Sequence, residues 1–214
     1  MKVRALQIVF IVCLAAACSK KNENRIVFQD GFSSNQGWPV GNEEGYSYGF
    51  NNGKYEMKID TVEWYSWVHA PYSGAINFNY SIKVDCALNL KDNSKVAAAG
   101  FIFNHIDNNN FAVAIITNNG FCTIFQIKNG TFNSIKNWTN TSAITITAGS
   151  INKLEIIQRA STVDFLINNQ SVGSFPMNRI NAAVKVGFWA QTQKEANFSP
   201  VVASFDNFIV SAIQ

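Results

Sequence analysis

Between Lys54 and Tyr72 the chain gathers the side chains best able to do chemistry. Three carboxylates, Glu56, Asp60 and Glu63, lead into the run WYSWVHAPY at residues 64–72, which holds two tryptophans, two tyrosines and a histidine. A pair of carboxylates held about 5–9.5 Å apart can cleave a glycosidic bond, one as acid and the other as nucleophile or base. Flat rings offer a different chemistry, stacking on the C–H face of a sugar while neighbouring polar groups bind its hydroxyls. Glu63, Asp60 and Glu56 are thus the candidates for catalysis. Glu63, Tyr65, Trp67 and His69, with Trp189 from a distant segment, are the candidates for carbohydrate binding.

Period-two alternation says how these residues are presented. In KYEMKID it turns Tyr55, Met57 and Ile59 inward and Glu56, Lys58 and Asp60 outward, which also describes the solvated face of an ordinary strand. In VEWYSWVH, Val62, Trp64, Ser66 and Val68 share one face that reads as core, and Glu63, Tyr65, Trp67 and His69 share the other. A bulge or a covering loop that buries all the rings is the alternative. In AVKVGFWAQ, Val184, Val186, Phe188 and Ala190 share a parity that leaves Trp189 opposite. Trp138 is distant in sequence and is expected to lie remote from the aromatic face.

The elements that must hold these residues are strands, since no segment of useful length has helical period. YSIKVDCALNL alternates with Ile82, Val84, Cys86 and Leu88 on one face. GFIFNHIDNNNFAVAIIT reads as two strands joined at HIDNNN, and NNGFCTIFQIKNGTF as a strand between turns. NKLEIIQRASTVDFLINNQSVGSF supplies three short strands, and AVKVGFWAQ and VVASFDNFIVSA close the chain. Asn clusters at the turns, where it tolerates left-handed backbone angles. The expected fold is all-β, a two-sheet antiparallel jelly-roll sandwich formed by one domain over residues 26–214.

The beginning of the chain predicts an address. Lys2 and Arg4 precede an apolar run from Ala5 to Ala17, too short for the roughly 20 residues of a membrane-spanning helix and ending at small residues before Cys18. LAAAC resembles the lipobox of bacterial lipoproteins. That resemblance implies a signal peptide over 1–17, lipidation at Cys18, a polar tether over 18–25 and an exported protein on a bacterial membrane. An ordinary signal peptide with a chance cysteine is the alternative. Without residues 1–17, 15 Lys and Arg face 14 Asp and Glu, since Lys2 and Arg4 leave from the 17 basic residues. Near-neutral charge argues against a nucleic-acid partner and against electrostatic membrane binding.

In the body Cys86 and Cys122 either pair or remain buried thiols. With no CxxC and only His69 and His105, zinc is not indicated. There is no nucleophile elbow and no phosphate loop.

FQDGFSSNQGWPV, GKYEMKID, the GFIFNHIDNNNFAVAI hairpin, the run NKLEIIQRASTVDFLINNQSVGSF and the ending VGFWA...SFDNFIV together resemble the concanavalin A-like lectin/glucanase jelly rolls. Within them, the chain is similar to 3-keto-disaccharide hydrolase-like domains. The resemblance covers about residues 26–213 and implies a sandwich that hosts lectins, glycosidases and adhesion modules, so function rests on the site. It also implies a structural calcium where the terminal strands meet, with Asp30 and Asp206 as ligands, although two aspartates supply few of the 6–8 oxygens calcium takes. The acidic signature strand of family 16 glycosidases is missing. From Asn93 to Leu154 the sole carboxylate is Asp107, in a DNNN turn setting. The leading expectation is non-catalytic carbohydrate binding, followed by glycoside cleavage and by a structural or protein-interaction lipoprotein.

Overall fold

A computed structural model describes residues 24–72 and 74–213; the expected signal segment, Cys18 and most of the tether lie outside the described residues. In chain order the strands are β1 (Arg25–Asp30), β2 (Gly41–Glu43), β3 (Tyr46–Asn51), β4 (Lys54–Ile59), β5 (Tyr65–His69), β6 (Tyr80–Leu90), β7 (Ala97–Asp107) and β8 (Asn110–Thr117). They continue with β9 (Phe121–Lys128), β10 (Thr131–Asn140), β11 (Ile151–Gln158), β12 (Thr162–Ile167), β13 (Gln170–Pro176), β14 (Lys185–Thr192) and β15 (Val201–Ala212). The only helical turn among the described residues is a 3-10 turn at Glu195–Asn197.

The strands form two antiparallel sheets. One has nine strands in the order β13-β12-β11-β6-β15-β4-β3-β2, with β1 also on β15; the other has six in the order β10-β9-β8-β7-β14-β5. β15 organises the first sheet. One of its edges pairs with β6, while the other takes β4 along Val201–Phe205 and then β1 along Phe208–Ala212. A register shift after Asp206, where Asn207 has φ 52°, resets the alternation so that both Phe205 and Phe208 point into the core.

The inner faces build the main core. β6 contributes Ile82, Val84, Cys86 and Leu88, as its alternation predicts, and the other sheet answers with Phe101, Phe103, Ala112, Ala114, Ile124 and Phe188. At the centre Phe188 stacks on Phe205 at 4.1 Å and on Trp38 at 4.8 Å. Trp38 comes from the loop after β1, and buried Asp30 fixes it. The Trp38 indole N–H donates to Asp30 Oδ2 at 2.9 Å, and the Phe32 backbone N–H donates to Oδ1 at 2.7 Å. Cys86 and Cys122 are free buried thiols on opposite sheets, and burial pushes the Cys86 thiol up to about 12.

A polar chain also ties the sheets together. The Tyr80 hydroxyl donates to Asn104 Oδ1 at 2.8 Å, and Asn104 Nδ2 donates to Gln158 Oε1 at 2.9 Å. Asn104 reaches inward next to inward-facing Phe103 because its φ of 49° breaks the alternation in β7. His105 is thereby directed to the outer face.

Asp30→Ala removes the acceptor for two buried donors. It is expected to destabilise the fold by about 2–4 kcal/mol, read as a lower urea midpoint with an unchanged slope.

Candidate functional site

The six-stranded sheet is apolar on both faces. β7 and β8 are buried along almost their whole length, and a second apolar cluster of Ala98, Ile102, Phe111, Val113, Ile115 and Trp189 lies on the side away from the main core. No other strand layer covers that side among the described residues; its cover is side chains from the flanking strands.

Trp189 is the hub. It points outward from β14 as its parity predicts, yet it is only 3 % exposed because other rings pack around it. Tyr65 stacks on it at 4.9 Å and Trp67 at 5.8 Å, each with 10° between planes, and Phe111 lies at 6.0 Å. The register accounts for this: Trp189 is directly opposite Trp67 across the β14–β5 pair and two residues from the Gln191–Tyr65 pair. The Trp189 indole N–H donates to Gln191 Oε1 at 2.9 Å, so its polar atom is satisfied within the face.

Facing this stack is a second aromatic wall. Phe132 and Trp138 project from β10, 62 % and 47 % exposed, and Phe132 packs on Phe125 at 5.4 Å. Between the walls lies a groove of about 710 Å³, floored by Phe111, Thr123, Phe125 and Ile127, within the roughly 300–1,000 Å³ typical of ligand clefts. Tyr65 and Trp138 come from the two edge strands of the sheet. The groove therefore spans the width of the sheet, five strand steps of about 4.8 Å, or roughly 24 Å for a flat sheet. β10 carries two register shifts, one after Ser134 and one after Lys136, the kind of irregularity that bends a strand locally. The Thr123 hydroxyl donates to the Lys136 carbonyl at 2.6 Å, and the Ser134 hydroxyl donates to Asn137 Oδ1 at 2.7 Å across the bulge.

The polar lining is uncharged: Asn108, Asn109, Thr123, Ser134, Asn137 and Gln191. No carboxylate, lysine or arginine lines the groove among the described residues. Such a surface can stack rings against a flat apolar face and offer amide and hydroxyl groups to hydroxyls, but it holds no proton-transfer pair.

Of the residues singled out from sequence, Tyr65, Trp67 and Trp189 meet in this groove. His69 continues the same face but lies beyond the lining, its ring 4.3 Å from that of His105, which is 6 % exposed. Glu63 does not join them. Its φ of 51° places it in a turn, and its carboxylate sits 3.7 Å from Lys194 Nζ in solvent. The same turn overturns the expectation that Val62 and Trp64 belong to the core: the strand begins only at Tyr65, and Trp64 is 41 % exposed with its ring against Tyr46.

Glu56 belongs to the nine-stranded sheet, where it accepts from Asn51 at 3.0 Å and Ser204 at 3.4 Å, 3.5 Å from Lys58 Nζ. Asp60 follows directly after β4, its backbone N–H donating to the Gly45 carbonyl at 2.7 Å. The three candidate carboxylates are therefore absent from the aromatic groove. Asp107 caps its hairpin turn by accepting from Asn109 and Asn110, as its DNNN setting suggests. Trp138, expected to be remote, is one of the groove walls.

The terminal strands do meet, as Asp30 lies opposite Phe208 in the β1–β15 pair. Both Asp30 oxygens are engaged by Trp38 and Phe32, and Asp206 accepts from the Asn207 backbone at 2.7 Å. No group of three or more Asp, Glu, His or Cys side chains is placed to hold a metal among the described residues. These aspartates are a poor match for a calcium shell of 6–8 oxygens.

Sequence reasoning missed Phe111, Phe125, Ile127, Phe132 and Trp138. The signal that could have found the floor is apolar character on both parities: in β9, Cys122 and Ile124 face the core while Thr123, Phe125 and Ile127 face out.

No protein-family model and no curated protein matches this sequence. Solved structures do. The carbohydrate-binding module CBM66 from Bacillus subtilis matches with TM-score 0.60 and 13% identity, over 82% of this chain and 96% of that one. The catalytic domain of an endo-1,3-beta-glucanase from Thermotoga petrophila matches with TM-score 0.61 and 9% identity, over 90% and 99%. The kappa-carrageenase of Pseudoalteromonas carrageenovora, in complex with an oligotetrasaccharide, matches with TM-score 0.60 and 11% identity, over 94% and 99%. The fold is a concanavalin A-like jelly roll. At these identities the likeness carries the fold alone.

The histidine pair gives the face a pH limit. His69 Nε2 and both ring nitrogens of His105 are buried without hydrogen-bond partners. Burial, then His105 and Lys185, lowers the His69 pKa from 6.5 to about 4. His105 is lowered by burial and Lys185, with Asp107 opposing. The unfolded chain therefore binds more protons than the folded one below about pH 6.5. Stability is expected to be full above that value and to fall as pH drops toward 4. Thermal melts across this range should show a shallower acid loss in His69→Gln than in the parent.

Proposed function

We propose that this is a lipid-anchored cell-envelope protein that binds carbohydrate in its aromatic groove without cleaving it. The observation that carries this reading is the groove itself: two exposed aromatic walls around a floor of rings and uncharged hydrogen-bonding side chains. Sugars present apolar C–H faces edged by hydroxyls, and this surface complements both. Ring stacking supplies affinity, while Asn108, Asn109, Asn137 and Gln191 supply orientation.

Binding is favoured over hydrolysis because the lining has no carboxylate, and both modes of glycoside cleavage usually need two. The fold is compatible with either, being shared by a carbohydrate-binding module and by glycan-cleaving enzymes. Attachment to the membrane rests on the LAAAC segment and Cys18. A lipid tether would hold the domain near an envelope surface and leave the groove free for glycan.

Titrating the soluble domain with a panel of polysaccharides tests the reading by tryptophan fluorescence, because Trp67, Trp138 and Trp189 line the groove. A saturable shift for at least one glycan is expected. Tyr65→Ala should weaken it by about tenfold, near 1.4 kcal/mol, with folding unchanged, while Trp64→Phe, outside the groove, should leave affinity intact. Binding unaffected by Tyr65→Ala would place the sugar elsewhere, and no response to any glycan would favour a structural role. Separately, Cys18→Ser is expected to move the protein from the membrane to the soluble fraction on detergent partitioning.

A further inference from the structure

The groove does not end at Trp138. A second cavity of about 260 Å³ begins there, sharing Trp138 and Gln191 with the first and continuing past Phe121, Asn119 and Gln193 to Asn197. Along the floor, the first cavity spans the middle and end of β9, through Ile127, and the second is at its start, at Phe121. The six residue steps from Phe121 to Ile127 cover about 20 Å at a strand rise of about 3.4 Å. The two cavities adjoin at Trp138 and Gln191 and follow one another along the strands, together longer than a single sugar or a disaccharide requires.

Its chemistry stays constant along that length. The second cavity is lined by Val96, Thr117, Asn119, Phe121, Gln193 and Asn197 beside the two shared residues, again without a charged side chain. A polyanionic chain would meet no cation in either part, and its charges would lose hydration without compensation. An uncharged chain would lose no such hydration. Trp138 sits where the two parts join, its ring available from both. A chain end or a short sugar would use one part; a continuous chain would use both and stack at the junction.

We infer that the site takes an internal segment of an uncharged linear glycan, laid along the strands, with Trp138 as the platform shared by its two parts. This rests on the carbohydrate-binding reading of the same groove. It adds three features that the reading does not require: neutrality, length, and a second part beyond Trp138.

Calorimetric titration of the intact soluble domain with oligomer ladders of laminarin, xylan and inulin, beside kappa-carrageenan and polygalacturonate as polyanions, tests it. The expected result is a neutral ladder whose affinity rises by at least about tenfold from disaccharide to long oligomer. Phe121→Ala and Gln193→Ala in the second part should remove most of that gain. Thermal melts unchanged from the parent show that these variants fold. Trp138→Ala should weaken the long oligomer more than the disaccharide. Equal affinity for short and long oligomers, preference for a polyanion, or indifference of the long oligomer to Phe121→Ala would overturn the inference and leave the binding reading standing. Absence of binding by every probe would overturn both.

Discussion

The six-stranded sheet must bury apolar side chains on two faces, but the sandwich supplies a partner layer for only one. Phe101, Phe103 and Phe188 pack against the nine-stranded sheet. Ile102, Val113, Ile115 and Trp189 on the reverse have no sheet or helix above them among the described residues. Leaving that surface in water would forfeit roughly 25 cal/mol for each Å². The chain covers it with rings from the sheet's own flanking strands. Tyr65 and Trp67 on edge strand β5 cover Trp189 on the neighbouring β14, and with Phe132 and Trp138 on the opposite edge they leave a groove between them.

This arrangement separates the scaffold from the surface offered to a ligand. Trp189 and Phe111 are held by packing and cannot move far; Tyr65, Phe132 and Trp138 rest against them or beside them with much of their ring surface in solvent. Rigid rings lose little conformational freedom on binding, which favours recognition of a flat and weakly interacting partner. The absence of charge along the lining keeps the groove free of the desolvation penalty that an ionised side chain would impose. The carboxylates near the aromatic run in sequence are drawn off elsewhere: Glu56 to the other sheet, Glu63 to a solvent-facing turn beside Lys194.

Two local departures from regular strand geometry have consequences beyond their own residues. At Asn104 the positive φ lets one side chain bridge the sheets through Tyr80 and Gln158 and sends His105 out to meet His69. At Asn207 a register shift keeps both Phe205 and Phe208 in the core, where they touch the Trp38–Phe188 stack. Asparagine accommodates left-handed backbone at modest energetic penalty, so an Asn-rich composition that reads merely as turns also marks places where a strand changes its facing.

What the sequence determined by itself was whatever depends on local patterning, alternation within a strand and turn residues at its ends. β6 and β14 follow from period-two patterning, the hairpin of β7 and β8, β11 to β13 and β15 from strand-length segments set off by turns, and the outward placement of Tyr65, Trp67 and Trp189 from parity within single strands. Pairing between distant segments was decided only by the tertiary structure. Parity says that Trp189 and Trp67 each face outward; the β14–β5 register makes them neighbours. Parity fails at Glu63, where one positive φ removes the carboxylate from the face and exposes Trp64. Trp138 was legible as a strand residue but not as a wall of the groove, because its place depends on bulges in β10 and on the strand order that sets β10 and β5 at opposite edges of one sheet. Strand order is a property of the sheet as a whole, set by long-range pairing and two-sided burial, and no window of a single strand encodes it.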